Sequence, residues 1–429
     1  MGLLDERERW AGRVFTGAWT PTGGTAASTE PATGDELGRV GTATAVELEL
    51  NLTLDELHEA ASLASAPWGT LLPTTKEGRT SIARRVPFGV VAVIAPWNFP
   101  LILAMRSVAP ALATGNAVVL KPASDTAICC GVVIARLFEE AGLPAGVLHM
   151  LPGKGSELGN AVAEDPNIAM ISFTGSTPVG RELAKAAAGS FKKFVSELGG
   201  NNAFVVLDDA DVSAAAAAGA FGSFVHQGQV CMAVGRHLVA EKIADAYVEE
   251  LTRIADGLRV GDPREDVDLG PVINSNQAEH IESVVQRSVD AGAKVTAGGR
   301  HDGLFVRPTV LAGVAPDMPA FTEEIFGPVA VVTTFGDDDE AVRLANATPY
   351  GLVAGVHSGS AARARAVGDR LHAGMVHVND QTVNDETIAP FGGIGESGGS
   401  SRFGSFVNLD EFTRWQWVTV REEQSRPQL

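Results

Sequence analysis

The sequence has few cysteines, no internal repeat and no long hydrophobic run, and each absence excludes a class of protein. Three cysteines in 429 residues are too few for a disulfide framework, and they lack the spacing of a metal site. No apolar stretch reaches membrane-spanning length without a proline, a glycine or a charge. The first ten residues, MGLLDERERW, do not resemble a signal peptide. We therefore expect a cytoplasmic protein with no membrane partner and no metal.

Basic residues are scarce relative to acidic ones. The sequence has 33 lysines and arginines against 52 aspartates and glutamates, which gives a net charge of −19. This excess of negative charge repels nucleic acid and anionic membrane surfaces, so neither is an expected partner. The same charge favours solubility, and the length of the chain favours two domains.

Short apolar strands alternate with helices through the first half of the chain. The strands include GVVAVIA, NAVVLK and NIAMISFT, and the helices include PLILAMRSVAPALATG. Continuous β-branched strands separated by helices are typical of a parallel, doubly wound sheet covered on both faces. KKFVSELG and NAFVVLDD are predicted to close this series. After about Gly200 the pattern restarts with an Ala-rich helix that Asp211 is predicted to cap, which indicates a second α/β domain.

Three polar residues carry the candidate chemistry. Cys231 lies in HQGQVCMAVGR, beside a glycine that lets backbone approach a ligand, while Glu197 lies in VSELGGNN and Asn98 in APWNFP. Each residue alone has an ordinary structural role, as a loop cysteine, a strand-end carboxylate and a turn amide. Together they are the groups needed to form, stabilise and hydrolyse a thioester, with hydride passing to a nicotinamide.

Other polar residues follow strands at the edge where a parallel sheet binds ligands. Trp97 ends the first strand, Lys121 and Ser124 follow the second, and Gly175 follows the fourth. The sequence GSTPVG opens a helix, whose free N–H groups and dipole favour a phosphate.

Seven separated motifs occur in an order that resembles the aldehyde dehydrogenase superfamily. They are APWNFP, GNAVVLKPAS, FTGSTPVG, ELGGNN, QGQVCMAVGR, EEIFGPV and PFGGIGESG, and they span nearly the whole chain. The resemblance implies a Rossmann-type parallel-sheet coenzyme domain, an α/β catalytic domain and a small β-ribbon for oligomerisation into a homodimer or homotetramer. It assigns residues 1–69 and 88–199 to the coenzyme domain, 200–404 to the catalytic domain, and 70–87 with 405–429 to the ribbon.

The resemblance also assigns roles to individual residues. It implies oxidation of an aldehyde with NAD or NADP, and places the nucleophile on Cys231, the general base on Glu197 and the oxyanion amide on Asn98. The positions that would hold the cofactor are Trp97, Lys121, Ser124, Gly175, Ser176, Gly180, Leu198, Glu324 and Phe326.

Two further sequences are most similar to the benzaldehyde dehydrogenase branch, which includes vanillin- and salicylaldehyde-type enzymes. They are VHVNDQTVNDE and LDEFTRWQWVTVR. The expected substrate tunnel is mostly apolar, which suits an aromatic or aliphatic aldehyde. Its positions are Phe99, Ile102, Leu103, Val230 and Met232. Arg106 is the exception. It forms a salt bridge outside the tunnel, or it binds a substrate carboxylate as in a semialdehyde dehydrogenase. A non-catalytic relative with the same fold is a third alternative.

Two features depart from the family pattern. Ser124 stands where NAD-preferring relatives often carry a glutamate, so NADP use is open, while Asp125, predicted to cap the next helix, disfavours an extra phosphate. The segment between GTATA and VELELNLT is short by about two helices. Residues 46–66 or a neighbouring subunit are alternatives for covering the sheet there. Because GVVAVIA and NAVVLK have no polar residue that would adapt an exposed face, we expect the coenzyme domain to be loosened at this edge and to bind cofactor more weakly.

Overall fold

A computed structural model describes residues 6–11, 13–16, 18–21, 44–399 and 401–423. The strands of the described residues are β1 (Arg13–Thr16), β2 (Trp19–Pro21), β3 (Gly69–Leu72), β4 (Arg79–Pro87), β5 (Val90–Ile94), β6 (Ala117–Lys121), β7 (Leu148–Met150), β8 (Ile168–Thr174), β9 (Lys193–Glu197), β10 (Asn202–Val206), β11 (Val234–Ala240), β12 (Lys294–Ala297), β13 (His301–Asp302), β14 (Phe305–Val306), β15 (Thr309–Ala312), β16 (Val329–Phe335), β17 (Val353–His357), β18 (Met375–Val378) and β19 (Thr413–Arg421).

The helices of the same residues are α1 (Arg7–Trp10), α2 (Thr44–Ser62), α3 (Pro100–Ala113), α4 (Val133–Glu140), α5 (Gly155–Glu164), α6 (Thr177–Gly189), α7 (Val212–Phe224), α8 (Ala244–Gly257), α9 (Ser275–Asp290), α10 (Pro319–Thr322), α11 (Asp338–Ala345), α12 (Ala361–Gly368) and α13 (Ser405–Phe412). A π-helical segment, Ala127–Val132, leads directly into α4. Among the described helices, none combines the length and the apolar character needed to cross a bilayer.

The first sheet has the order β2-β1-β7-β6-β5-β8-β9. Strands β5 to β9 are parallel, and β1 and β2 extend the sheet in antiparallel register. Helix α3 packs on one face with α2 and α4, whereas α5 and α6 pack on the other. The predicted fold class, a doubly wound parallel sheet covered on both faces, is therefore confirmed.

The second sheet has the order β12-β15-β16-β11-β10-β17-β18 and is parallel except at β12. It includes β10, so the prediction that NAFVVLDD closes the first series is wrong. All five residues of β10 are buried, and a strand buried on both faces has the same pattern in either sheet. The predicted cap of α7 is confirmed, because the Asp211 carboxylate accepts a hydrogen bond from the Ala214 N–H at 3.0 Å.

A third, three-stranded sheet joins two distant parts of the chain. Strand β19 pairs along its whole length with β4, and β4 pairs with β3, all antiparallel. The sequence WQWVTV lies in β19 and therefore pairs with the 79–87 segment of its own chain. The domain limits stay a prediction.

The face of the first sheet next to the shortened segment is covered by α2 and α3. Val91 and Val118 have no exposed surface, and Ala60 of α2 lies in the same cluster of buried residues. Helix α2 packs along α3, which in turn contacts β5 and β6. Residues 46–66 therefore cover this face of the sheet, which is one of the alternatives that the short segment raised.

Candidate active site

The carboxyl ends of β5 and β8 define the crevice in which the predicted residues meet. From β5 the chain winds outward through β6 to β7, and then returns to place β8 on the other side of β5. Such a reversal of strand order is where open α/β sheets bind ligands. Trp97 and Asn98 follow β5, and Gly175 and Ser176 follow β8.

The Cys231 loop follows α7 through a tight turn. His226 and Gln227 both have positive φ angles, 52° and 56°, which are unusual outside glycine. Gly228 is also at positive φ, and a side chain there would lie 2.1 Å from the Gly327 carbonyl oxygen. The turn therefore needs a glycine, and it presents Cys231 at a half-buried position.

Two side chains fix this loop in place. Asn202 donates from Nδ2 to the carbonyl oxygens of Cys231 (2.8 Å) and Ala233 (2.7 Å). Gln229 accepts the Ile273 N–H at 2.9 Å. Both residues are buried, and sequence reasoning assigned a role to neither. The only indication of a role in the sequence was that the two residues lie within two of the seven motifs, ELGGNN and QGQVCMAVGR.

Asn98 lies against the same loop. Its side chain is buried, and Nδ2 donates to the Gln229 carbonyl oxygen at 3.0 Å. The structure thus brings Asn98 and the Cys231 loop together, although 133 residues separate them in the sequence (231 − 98).

Glu197 is the last residue of β9, and its main chain is held on both sides. Its carbonyl oxygen accepts the Gly175 N–H at 3.0 Å, and the next N–H, of Leu198, donates to Ser397. The carboxylate is only 4% exposed, and neither oxygen has a hydrogen-bond partner among the described residues. Burial raises the pKa of this carboxyl well above its usual value, against the opposing charges of Arg106 and Arg402.

The Cys231 thiol has an acidic environment. Burial, together with the charges of Glu197 and Glu324, raises the pKa of the thiol to about 12, while the charge of Arg106 opposes them. The structure therefore places Cys231 and Glu197 within electrostatic reach of each other. A thiol in these surroundings carries its proton at neutral pH.

Glu324 and Phe326 enter the crevice from the segment between α10 and β16. Glu324 accepts the Gly200 N–H at 2.8 Å, and a side chain at Gly199 would lie 1.9 Å from its carboxylate. Burial raises the pKa of Glu324 to about 7. Phe326 has a positive φ of 51° and meets Trp97 nearly edge-on, with ring centroids 5.4 Å apart.

The remaining predicted cofactor positions surround the first sheet's strand ends. Lys121 ends β6, is buried, and donates to the Pro122 carbonyl oxygen at 3.1 Å; burial lowers its pKa. Ser124 is exposed and donates to the Gly153 carbonyl oxygen at 3.3 Å. The prediction that Asp125 caps the following helix is wrong. Thr126 holds the N-cap position, and the helix begins with wide π turns.

Gly175 and Gly180 allow α6 to pack closely at its first turn. A side chain at Gly175 would lie 2.6 Å from the Phe173 ring, and one at Gly180 would lie 2.5 Å from Leu198. Ser176 holds the N-cap position of α6 but its hydroxyl caps no N–H of the helix. The helix start is therefore close to the strand end, with its first N–H groups directed at the crevice.

Apolar side chains surround Cys231. Val230 and Met232 are buried in a cluster with Phe391, and Phe99 packs against it. Ile102 and Leu103 are buried on α3 and are not part of this cluster.

Arg106 is fully engaged by protein groups. It is 3% exposed, forms ion pairs with Glu56 (3.1 Å) and Asp385, and lies over the Phe391 ring. Of the two roles that the sequence left open, the salt bridge is the one that the structure shows.

Comparison with known proteins decides the family. Residues 22–418 match the model of the aldehyde dehydrogenase family. The chain belongs to this family. It is 48% identical to a vanillin dehydrogenase of Amycolatopsis sp., with 98% of each chain covered. It is 50% identical to a benzaldehyde dehydrogenase [NAD(+)] of Pseudomonas putida, with 87% of this chain and 77% of that protein covered.

Solved structures agree with this assignment. A salicylaldehyde dehydrogenase from Pseudomonas putida G7, complexed with salicylaldehyde, is 39% identical and has a TM-score of 0.84 over 89% of this chain and 79% of that one. An NADP-dependent enzyme of E. coli is 29% identical, with a TM-score of 0.87 over 97% and 99%. The resemblance inferred from the seven motifs is confirmed. The Amycolatopsis alignment spans 481 positions against 429 residues, so it includes positions where this aldehyde dehydrogenase has no residue.

Proposed function

We propose that this aldehyde dehydrogenase oxidises an aromatic aldehyde to its carboxylic acid through a thioester on Cys231. The observation that carries the proposal is the convergence of the Cys231 loop, the Asn98 amide and the buried, unpartnered Glu197 carboxylate at one crevice. The aromatic substrate class is supported by the similarity to vanillin, benzaldehyde and salicylaldehyde dehydrogenases. The apolar cluster beside Cys231 suits such a ring.

Cys231 and Asn98 carry out the first half of the reaction. The Cys231 thiol gives its proton to water, its sulfur bonds to the aldehyde carbon, and the aldehyde oxygen becomes an oxyanion. One amide hydrogen of Asn98 is held by Gln229. The other, with the Cys231 backbone N–H, is assigned to the oxyanion.

The second half belongs to Glu197. Its carboxylate takes a proton from water, the hydroxyl adds to the thioester carbon, and the acid leaves as the thiolate re-forms. The raised pKa of Glu197 brings it towards the range in which a carboxylate is an effective base near neutral pH.

The residues at the crevice fit the nicotinamide dinucleotide that the family implies. Gly199 lets the Glu324 carboxylate lie against the main chain at the crevice, in the space that a side chain would fill. The uncommitted Ser176 hydroxyl and the start of α6 suit the phosphates, and Lys121 with Ser124 suits the adenosine ribose. When bound, the nicotinamide ring accepts the hydride that leaves the aldehyde carbon.

NAD is the favoured cofactor, with NADP possible. The exposed Ser124 does not repel a 2′-phosphate, but no arginine follows Lys121 to bind one, and the Asp125 carboxylate is adjacent. Specificity constants for both cofactors test this preference. A strong preference for NADP would contradict it.

The aldehyde panel is the experiment that tests the function. Benzaldehyde, vanillin, salicylaldehyde and succinate semialdehyde are each incubated with NAD⁺ or NADP⁺, and nicotinamide absorbance is followed, with Cys231→Ala as the inactive control. We expect turnover with the aromatic aldehydes. No turnover with any aldehyde and either cofactor would favour a non-catalytic relative.

A semialdehyde dehydrogenase is not favoured by the geometry, because Arg106 already binds two carboxylates. A preference for succinate semialdehyde that Arg106→Ala abolishes would overturn this reading.

We also propose that the enzyme is a homodimer or homotetramer in the cytoplasm. Trp415 and Trp417 of β19 are exposed, and β18 is an edge strand with an exposed Val376. An exposed aromatic pair and an unpaired strand edge are both suited to contact with a second copy. The cytoplasmic location is supported by the three free cysteines.

A further inference from the structure

Two carboxylates of α2 contact the helix that follows Asn98. Glu49 and Glu56 lie two helical turns apart, and therefore on the same face of α2. That face packs along α3, which begins at Pro100, directly after the Asn98–Phe99 pair. Helix α2 is thus joined to the segment that carries the proposed oxyanion amide.

Glu49 supplies the N-terminal cap of α3. The residue at the N-cap position is Phe99, which offers no polar side chain, and Pro100 has no N–H. The next two N–H groups, of Leu101 and Ile102, both donate to Glu49 Oε1, at 2.6 and 3.2 Å. A carboxylate at this position also interacts favourably with the helix dipole.

Glu56 holds the same helix farther along. It pairs with Arg106 at 3.1 Å, and both side chains are buried. Leu57 and Ala60 of α2 fill the apolar side of the same contact. The first turn of α3 therefore depends on Glu49, while Glu56 and apolar packing hold the rest.

We propose that Glu49 is a positioning residue for the Asn98 amide, an inference that rests on the proposed function. Without Glu49, the Leu101 and Ile102 N–H groups lose their acceptor inside the protein, and the first turn has to shift to find another. Asn98 lies immediately before that turn, and its amide is aligned by a single bond to the Gln229 carbonyl oxygen. A displacement of this amide misaligns the oxyanion site.

The test compares Glu49→Ala and Glu49→Gln with the wild type on benzaldehyde and NAD⁺. We expect Glu49→Ala to lower kcat about tenfold or more, with KM for NAD⁺ nearly unchanged, because small errors in positioning cost rate rather than cofactor binding. Glu49→Gln keeps an acceptor oxygen for both N–H groups and should recover most of the rate. Asp55→Ala, an exposed acidic residue on the same helix, is the matched control and should behave as the wild type.

A double-mutant cycle with Asn98→Ala identifies the route of the effect. If Glu49 acts through Asn98, Glu49→Ala should cost no further rate in the Asn98→Ala background. Additive losses, or a Glu49→Ala loss that vanishes when kcat is expressed per active site titrated by the burst, would overturn the inference. A wild type that oxidises no aldehyde would instead contradict the proposed function itself.

Discussion

Apolar side chains surround the Cys231 thiol, and the carboxylate charges that act on it outweigh the charge of Arg106. With its pKa raised to about 12 by burial and by the charges of Glu197 and Glu324, it is almost entirely protonated at neutral pH. Because the thiolate is the reactive form of cysteine, the proposed nucleophile is mostly in its unreactive form in the free enzyme.

Alkylation by iodoacetamide in the absence of cofactor measures this state. Since the thiolate fraction rises with pH below the pKa, we expect the rate at Cys231 to rise about tenfold per pH unit from pH 7 to 9. Cys231→Ser provides the background from Cys129, which is half-buried. A rate that levels off below pH 8 would show a thiol that is already ionised, contrary to this description.

Arg106 is expected to matter for stability. Its removal leaves the Glu56 and Asp385 carboxylates without their cation at buried positions. We expect Arg106→Ala to lower the free energy of unfolding by about 3–5 kcal/mol, measured by urea denaturation. Arg181→Ala breaks the exposed pair with Glu396 and should change it very little. Equal losses of unfolding free energy in the two variants would show that the buried ion pairs stabilise the fold no more than the exposed pair does.

For individual residues, the sequence predicted which groups come together at the candidate site, but not which contacts hold them there. The types and motifs of Cys231, Glu197 and Asn98 were enough to expect one site. The contacts of Asn202 and Glu49 were not predictable, because they reach backbone atoms far away in the sequence. Such pairings depend on how elements pack and leave no local pattern.

Among the elements, α2 has two structural roles. It covers the sheet face beside the shortened segment and contacts α3 at both carboxylates. Its presence removes the physical reason to expect a loosened edge, because the strand faces of β5 and β6 are buried. The sequence could not decide this, since a helical period does not say which surface the helix covers.

Hydrogen exchange across residues 86–121 tests this coverage. We expect the amides of β5 and β6 to be as protected as those of β10 in the second sheet, because all three strands are buried between helices. Faster exchange in β5 and β6, together with weak cofactor binding, would mean that α2 does not replace the missing helices.

Most elements were predictable from period and capping residues, and the errors have local causes. Asp125 and Thr126 are both good caps, so the start of the helix after β6 was placed one residue early. NAFVVLDD was assigned to the wrong sheet because the sequence of a buried parallel strand does not show which strands it pairs with.

In the molecule as a whole, the exposed ribbon is the surface best suited to assembly. Trp415 and Trp417 point to the same side of β19 and are 57% and 68% exposed. We expect the double variant Trp415→Glu/Trp417→Glu to shift the enzyme towards monomer in light scattering, because it places charge on the proposed contact. Gln416→Glu, on the other side of the strand, is the control. An unchanged mass in the double variant would place the contact elsewhere.

The central claim, a Cys231 thioester hydrolysed by Glu197, is tested most directly by pre-steady-state kinetics of Glu197→Gln. This variant keeps the nucleophile and loses the base, so we expect a burst of reduced cofactor near one equivalent per site, followed by a stall. Cys231→Ala should give no burst. Turnover of Glu197→Gln at the wild-type rate would show that the base lies elsewhere and would contradict the account.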